Sequence, residues 1–207
     1  MWAVAAVFAL LLLLGSTAAA AESVRLLILG DSITAGYGLP LADAIPAKLE
    51  AALKARGLNV SVIASGVSGD TTAGGKARVG WAMADKPDAA IVALGGNDGL
   101  RGIAPSETEA NLDAIVTRLQ EKGVAVMIAG MLAPPNLGRE YGDDFRAVFP
   151  RVAKRHGVML YPFLLDGVAA KPDLNQEDGI HPNAKGVEVI VRRLVPAVER
   201  LLKEVGQ

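Results

Sequence analysis

Val24-Arg25-Leu26-Leu27-Ile28-Leu29-Gly30-Asp31-Ser32 is the stretch from which the fold can be read. A strand with one wet face alternates apolar and polar residues, whereas this run is apolar almost without a break, so it predicts a strand covered on both faces of a parallel sheet. It stops abruptly at Gly-Asp-Ser. Similar runs recur at Val60 to Ala64, Ala89 to Leu94, Val124 to Ala129 and Val158 to Tyr161. Between them lie helical patterns at Leu41 to Arg56, Ser106 to Lys122 and Tyr141 to His156, each with a basic residue in or just after its last turn and Gly57, Gly123 or Gly157 beyond it. Ser106 followed by Glu109 reads as a capping box. A last helix spans Asn183 to Val205, where Pro196 predicts a kink. Strands alternating with helices predict a three-layer α/β/α sandwich around a central parallel sheet with right-handed crossovers. In such a sheet, ligands bind beyond the carboxyl ends of the strands. The loops there are the places to look for chemistry.

The chain has 207 residues, 51% of them hydrophobic and 21% charged, with a formal net charge of -1. That composition suits one domain with a substantial core and gives no field to attract nucleic acid. A small-molecule substrate and a monomeric protein are expected. The first segment differs: Met1 to Ala21 has no charged side chain, and Ala3 to Leu14 is apolar. That run is short of the about 20 apolar residues a membrane span needs, and the small residues Ala18 to Ala21 follow it. Residues 1–21 therefore read as a signal peptide cleaved after Ala20 or Ala21, with residues 22–207 as the mature domain, periplasmic or secreted. The competing reading is an uncleaved anchor, since no basic residue precedes the apolar stretch. Without cysteine there is no disulfide and no lipid-accepting thiol.

Four loops carry candidate chemistry: Gly30-Asp31-Ser32-Ile33-Thr34, Ser68-Gly69-Asp70-Thr71, Gly95-Gly96-Asn97-Asp98 and Asp178-Gly179-Ile180-His181-Pro182. Any one of them is explained by turn or capping preferences. Their joint occurrence at strand ends is not. Together they resemble the SGNH (GDSL) hydrolase family, named for Ser, Gly, Asn and His, which are matched by Ser32, Gly69, Asn97 and His181. The strings Gly95 to Gly102 and Asp178 to Asn183 are especially similar to the bacterial periplasmic thioesterase, lysophospholipase and arylesterase branch. Ile33 stands where the family's GDSL block has Leu. The resemblance implies a flavodoxin-like hydrolase fold without cofactor, acting on carboxylic esters and thioesters such as acyl-CoA, lysophospholipids and aryl esters.

Chemistry supports the same assignment. A serine hydroxyl needs a base to take its proton, and the base needs an acceptor that holds its tautomer. His181 and Asp178 suit these roles if the segment between them forms a tight turn, with Pro182 fixing entry into the last helix. The oxyanion formed on attack needs donors set in advance, which the backbone N–H groups of Ser32 and Gly69 and the Asn97 side chain can supply. Met131 to Tyr141 is the longest loop at this edge, and Leu132, Pro134, Leu137 and Tyr141 are the candidate substrate contacts.

Other chemistries fit poorly. Two histidines and no cysteine leave no imidazole- or thiolate-rich metal set, and His156 reads as a cation at a helix C-terminus. Asp70 to Ala77 only faintly resembles a phosphate loop, no Gly-x-Gly-x-x-Gly opens a helix, and Thr34 replaces the final Gly of a nucleophile elbow. Two alternatives stay open: a carbohydrate O-acetylesterase with the same triad, and a non-catalytic envelope-binding module.

Overall fold

The computed structural model describes residues 23–206. The proposed leader, residues 1–21, lies outside them. Five parallel strands, β1 (Val24–Gly30), β2 (Val60–Gly66), β3 (Ala89–Ala93), β4 (Ala125–Ala129) and β5 (Met159–Tyr161), form one sheet in the order β2-β1-β3-β4-β5. This is the doubly wound arrangement expected. Leu26, Leu27, Ile28 and Leu29 are all buried, so both faces of β1 are covered.

Seven α-helices are described: α1 (Ser32–Ala35), α2 (Ile45–Lys54), α3 (Thr72–Ala82), α4 (Gly96–Arg101), α5 (Pro105–Gln120), α6 (Arg139–His156) and α7 (Ala184–Lys203). Helices α3, α5 and α6 pack side by side, while α2 packs against α7. Right-handed crossovers put these two groups on opposite faces of the sheet. Phe145, Phe149, Ile115 and Val152 bury into one contiguous core that also holds Leu49, Leu194 and Val198.

Several local expectations need correction. The Leu41 to Arg56 pattern divides into a short 3₁₀ turn at Leu41–Asp43 and then α2. Ser106 does not cap α5: Pro105, with its preset φ, begins that helix after Ala104, which makes no side-chain cap. Glu109 turns away to Arg151 and Arg155 on α6. Helix α7 runs on through Pro196, whose ring lies on the solvent side, where water can satisfy the freed carbonyl. Helix α3 went unread because Gly74 and Gly75 flatten its apolar pattern. They are there for space: a Cβ on Gly75 would lie 2.2 Å from Leu94 Cδ1.

Candidate active site

Strand order places the site. The chain leaves β1 toward β2 on one side, then returns to β3 on the other, so the crevice opens between the ends of β1 and β3. Ser32 follows β1, and Asn97 follows β3. Gly30 must be glycine for the chain to turn here, since a Cβ would meet Thr34 Oγ1 at 2.0 Å and the Ala93 carbonyl at 3.0 Å. Asp31 caps the short α1, its carboxylate accepting the Ile33 N–H at 3.0 Å. Burial pushes that carboxyl up to about 6 from 3.8, against the opposing pull of the Ile33 N–H and of His181.

His181 comes from the far end of the chain, on the segment between β5 and α7. Its Nε2 lies 2.8 Å from Ser32 Oγ, and its Nδ1 lies 2.6 Å from Asp178 Oδ2. The other Asp178 oxygen accepts the N–H groups of Ile180 at 2.9 Å and His181 at 3.0 Å, closing the tight turn that the spacing called for. The His181 N–H, the His181 ring and the Ile180 N–H together hold the Asp178 carboxyl down to about 2. Pro182 stands just outside α7, whose cap is Asn183, accepting the Gly186 N–H.

Two residues that sequence reasoning missed hold this turn against the body. Asn175 is buried and donates to the carbonyls of Val168 and Lys171, both at 2.8 Å. Gln176 donates to the carbonyls of Tyr37 at 2.7 Å and Pro182 at 3.1 Å, while its own N–H reaches the His181 carbonyl at 2.8 Å. A run of polar residues just before the Asp-x-x-His turn was the available signal.

Gly69 adopts φ +84, a conformation that disfavours any side chain, and Asn97 donates one amide hydrogen to the Asp70 carbonyl at 2.9 Å, leaving the second for a ligand. Ser32, Gly69, Asn97 and His181 all line one cavity of about 600 Å³. Its remaining wall is mostly apolar, with Leu100, Leu132, Pro134, Phe163, Leu165 and Ile180.

The candidate substrate contacts thus divide. Leu132 and Pro134 line the cavity, but Leu137 and Tyr141 do not. A 3₁₀ turn at Pro135–Leu137 carries Leu137 toward the end of α4, within 3.8 Å of a Cβ built on Gly102. Tyr141 belongs to α6, where its ring stacks on Phe145 and its hydroxyl donates to the Ile103 carbonyl at 2.8 Å. Phe163 and Leu165 went unnoticed although they follow β5 directly. His156 ends α6 as expected, and its ring nitrogens face Asp113 and Gln120 of α5, away from the cavity.

The chain is similar to known esterases and thioesterases. An arylesterase of Vibrio mimicus is 37% identical over 184 residues, covering 86% of this chain and 92% of the relative. The thioesterase 1/protease 1/lysophospholipase L1 of Escherichia coli (strain K12) is 40% identical over 177 residues, covering 85% and 83%. A crystal structure of TesA superposes with a TM-score of 0.82 at 36% identity, covering 86% of this chain and 99% of that one. Residues 28–189 match the model of the GDSL-like lipase/acylhydrolase family, and the chain belongs to that family of SGNH hydrolases.

Proposed function

We propose that the protein hydrolyses carboxylic esters and thioesters of apolar acyl groups through an acyl-Ser32 intermediate. The observation that carries this reading is the continuous hydrogen-bonded line from Ser32 Oγ through His181 to Asp178. In the first half-reaction Ser32 Oγ bonds to the acyl carbon while its proton passes to His181 Nε2. The carbonyl oxygen, now an oxyanion, takes hydrogen bonds from the N–H groups of Ser32 and Gly69 and from Asn97. Collapse breaks the bond to the alcohol or thiol, which leaves with the proton from His181. Water, deprotonated by the same ring, then releases the carboxylic acid and restores Ser32.

The cavity wall favours long acyl groups over acetyl sugars, because a sugar brings hydroxyls for which this lining has few partners. Activity on envelope lipids would suit the exported location that residues 1–21 suggest, with a mature chain starting at Ala21 or Glu22. No helix among the described residues is long and apolar enough to cross a membrane.

The test is labelling with a fluorophosphonate, followed by peptide mapping, beside turnover of p-nitrophenyl butyrate and a medium-chain acyl-CoA. Wild type should carry the adduct on Ser32, and Ser32→Ala should lose adduct and turnover while keeping its melting transition. An adduct on Ser65 or Ser68, or near-wild-type turnover by Ser32→Ala, would overturn the reading.

A further inference from the structure

The three donors assigned to the oxyanion sit on three separate segments, after β1, β2 and β3, and nothing covalent holds Ser32, Gly69 and Asn97 in register. One side chain outside the cavity binds next to the first two of these segments directly and reaches the third through Asp70. Arg78 of α3 donates through Nη2 to the Gly30 carbonyl at 2.8 Å, two residues before Ser32. Its Nε donates to Asp70 Oδ2 at 2.6 Å, on the residue after Gly69. The Asp70 carbonyl in turn accepts the Asn97 amide at 2.9 Å. The third arm, Nη1, donates to Ser65 Oγ of β2 at 2.6 Å.

We infer that Arg78 is a positioning residue for catalysis, setting the spacing of the oxyanion donors through its three bonds; this rests on the Ser32 reading above. The pair is well sheltered, with the side chains of Arg78 and Asp70 each 17% exposed, so the geometry is little loosened by solvent. Space is kept for it: a Cβ on Gly74 would lie 2.4 Å from Asp70 Oδ1. The fork of a guanidinium is what the arrangement demands. Lysine carries the same charge on a single nitrogen and cannot span the Gly30 carbonyl, the Asp70 carboxylate and Ser65 together. Arg78 does not line the cavity, so it acts on the reacting atoms only by way of the groups it holds.

The experiment is a double-mutant cycle between Arg78→Lys and Asn97→Ala, with kcat and KM measured on p-nitrophenyl butyrate and melting curves recorded for each protein. Arg78→Lys should lower kcat by about ten- to a hundredfold with KM within about threefold, as expected when oxyanion donors are misplaced. In the Asn97→Ala background the same change should cost less than about threefold, because both act on one hole. A purely structural ion pair would lower the melting temperature and carry its full penalty into both backgrounds, which would overturn the inference. So would near-wild-type kcat in Arg78→Lys while Asn97→Ala is crippled. If Asn97→Ala itself turns over normally, the oxyanion reading fails, whatever Arg78 does. Should Arg78→Lys lose its cooperative melt, Asp70→Asn replaces it in the cycle and is held to the same outcomes.

Discussion

The ring of Tyr37 lies against the imidazole of His181, with centroids 4.6 Å apart and planes tilted by 37°. An aromatic face beside the ring limits its rotation and favours the cation formed when it holds the Ser32 proton. Tyr37→Phe should keep kcat within about twofold, whereas Tyr37→Ala should lower it by about three- to tenfold, the scale of an exposed cation–π contact. Steady-state kinetics on one aryl ester decide this. Equal loss in both variants would point to the hydroxyl instead of the ring.

Asp178→Asn separates the turn from the tautomer. The amide oxygen can still accept the N–H groups of Ile180 and His181, but an amide nitrogen facing Nδ1 can no longer accept a proton from it. The ring then protonates at Nε2, where it should receive the Ser32 proton. A buried triad acid loses about 10⁴ in kcat on this change, and the Asp178 side chain is 36% exposed, so water softens the loss toward about a hundredfold. KM should move little. A loss confined to KM would mean that Asp178 only shapes the pocket.

Asp31 should make stability depend on pH in the opposite sense to an ion-paired carboxylate. Its carboxyl is raised to about 6 from 3.8, so the folded form binds its proton more tightly than the unfolded chain does. The sheltered proton stabilises the fold fully below about pH 4, and that contribution is lost as pH rises through about 6, with a difference on the order of 3 kcal/mol. Asn keeps an acceptor for the Ile33 N–H without a charge. Asp31→Asn should therefore gain stability over wild type at pH 8 and lose that advantage by pH 4, in urea unfolding at both values. A gap that does not change with pH would refute it.

Acyl-chain preference should follow the cavity wall. Each CH₂ buried there contributes up to about 0.8 kcal/mol, roughly fourfold in kcat/KM. Efficiency on p-nitrophenyl esters should climb from acetate to medium chains and then level off. Leu132→Ala and Ile180→Ala should flatten the climb, while Leu137→Ala should leave its slope unchanged. A maximum at acetate would favour a deacetylase.

The sequence was most legible where chemistry and backbone geometry coincide. Gly30-Asp31-Ser32 and Asp178 to His181 announce both a turn and a function within a few residues, and the apolar run of β1 is covered on both faces, whereas the edge strand β2 leaves Ala64 exposed. What stayed hidden depends on distant packing. Arg78 looks like any helix residue until Gly30 and Asp70 are brought beside it. Leu137 and Tyr141 suit an acyl groove by residue type, but a sequence does not say which way a loop turns its side chains, and here the 3₁₀ turn and the start of α6 take both elsewhere.

The sequence separation of 149 between Ser32 and His181 also bears on when activity can arise. A chain emerging from the ribosome completes its nucleophile strand early, yet its base is delivered last, on the turn pinned by Asn175 and Gln176 ahead of the final helix. On the proposed reading, Ser32 has no base until that turn is in place. Chains cut before His181 should therefore show no turnover on that reading, because hydrolysis needs two segments that are far apart in sequence to meet.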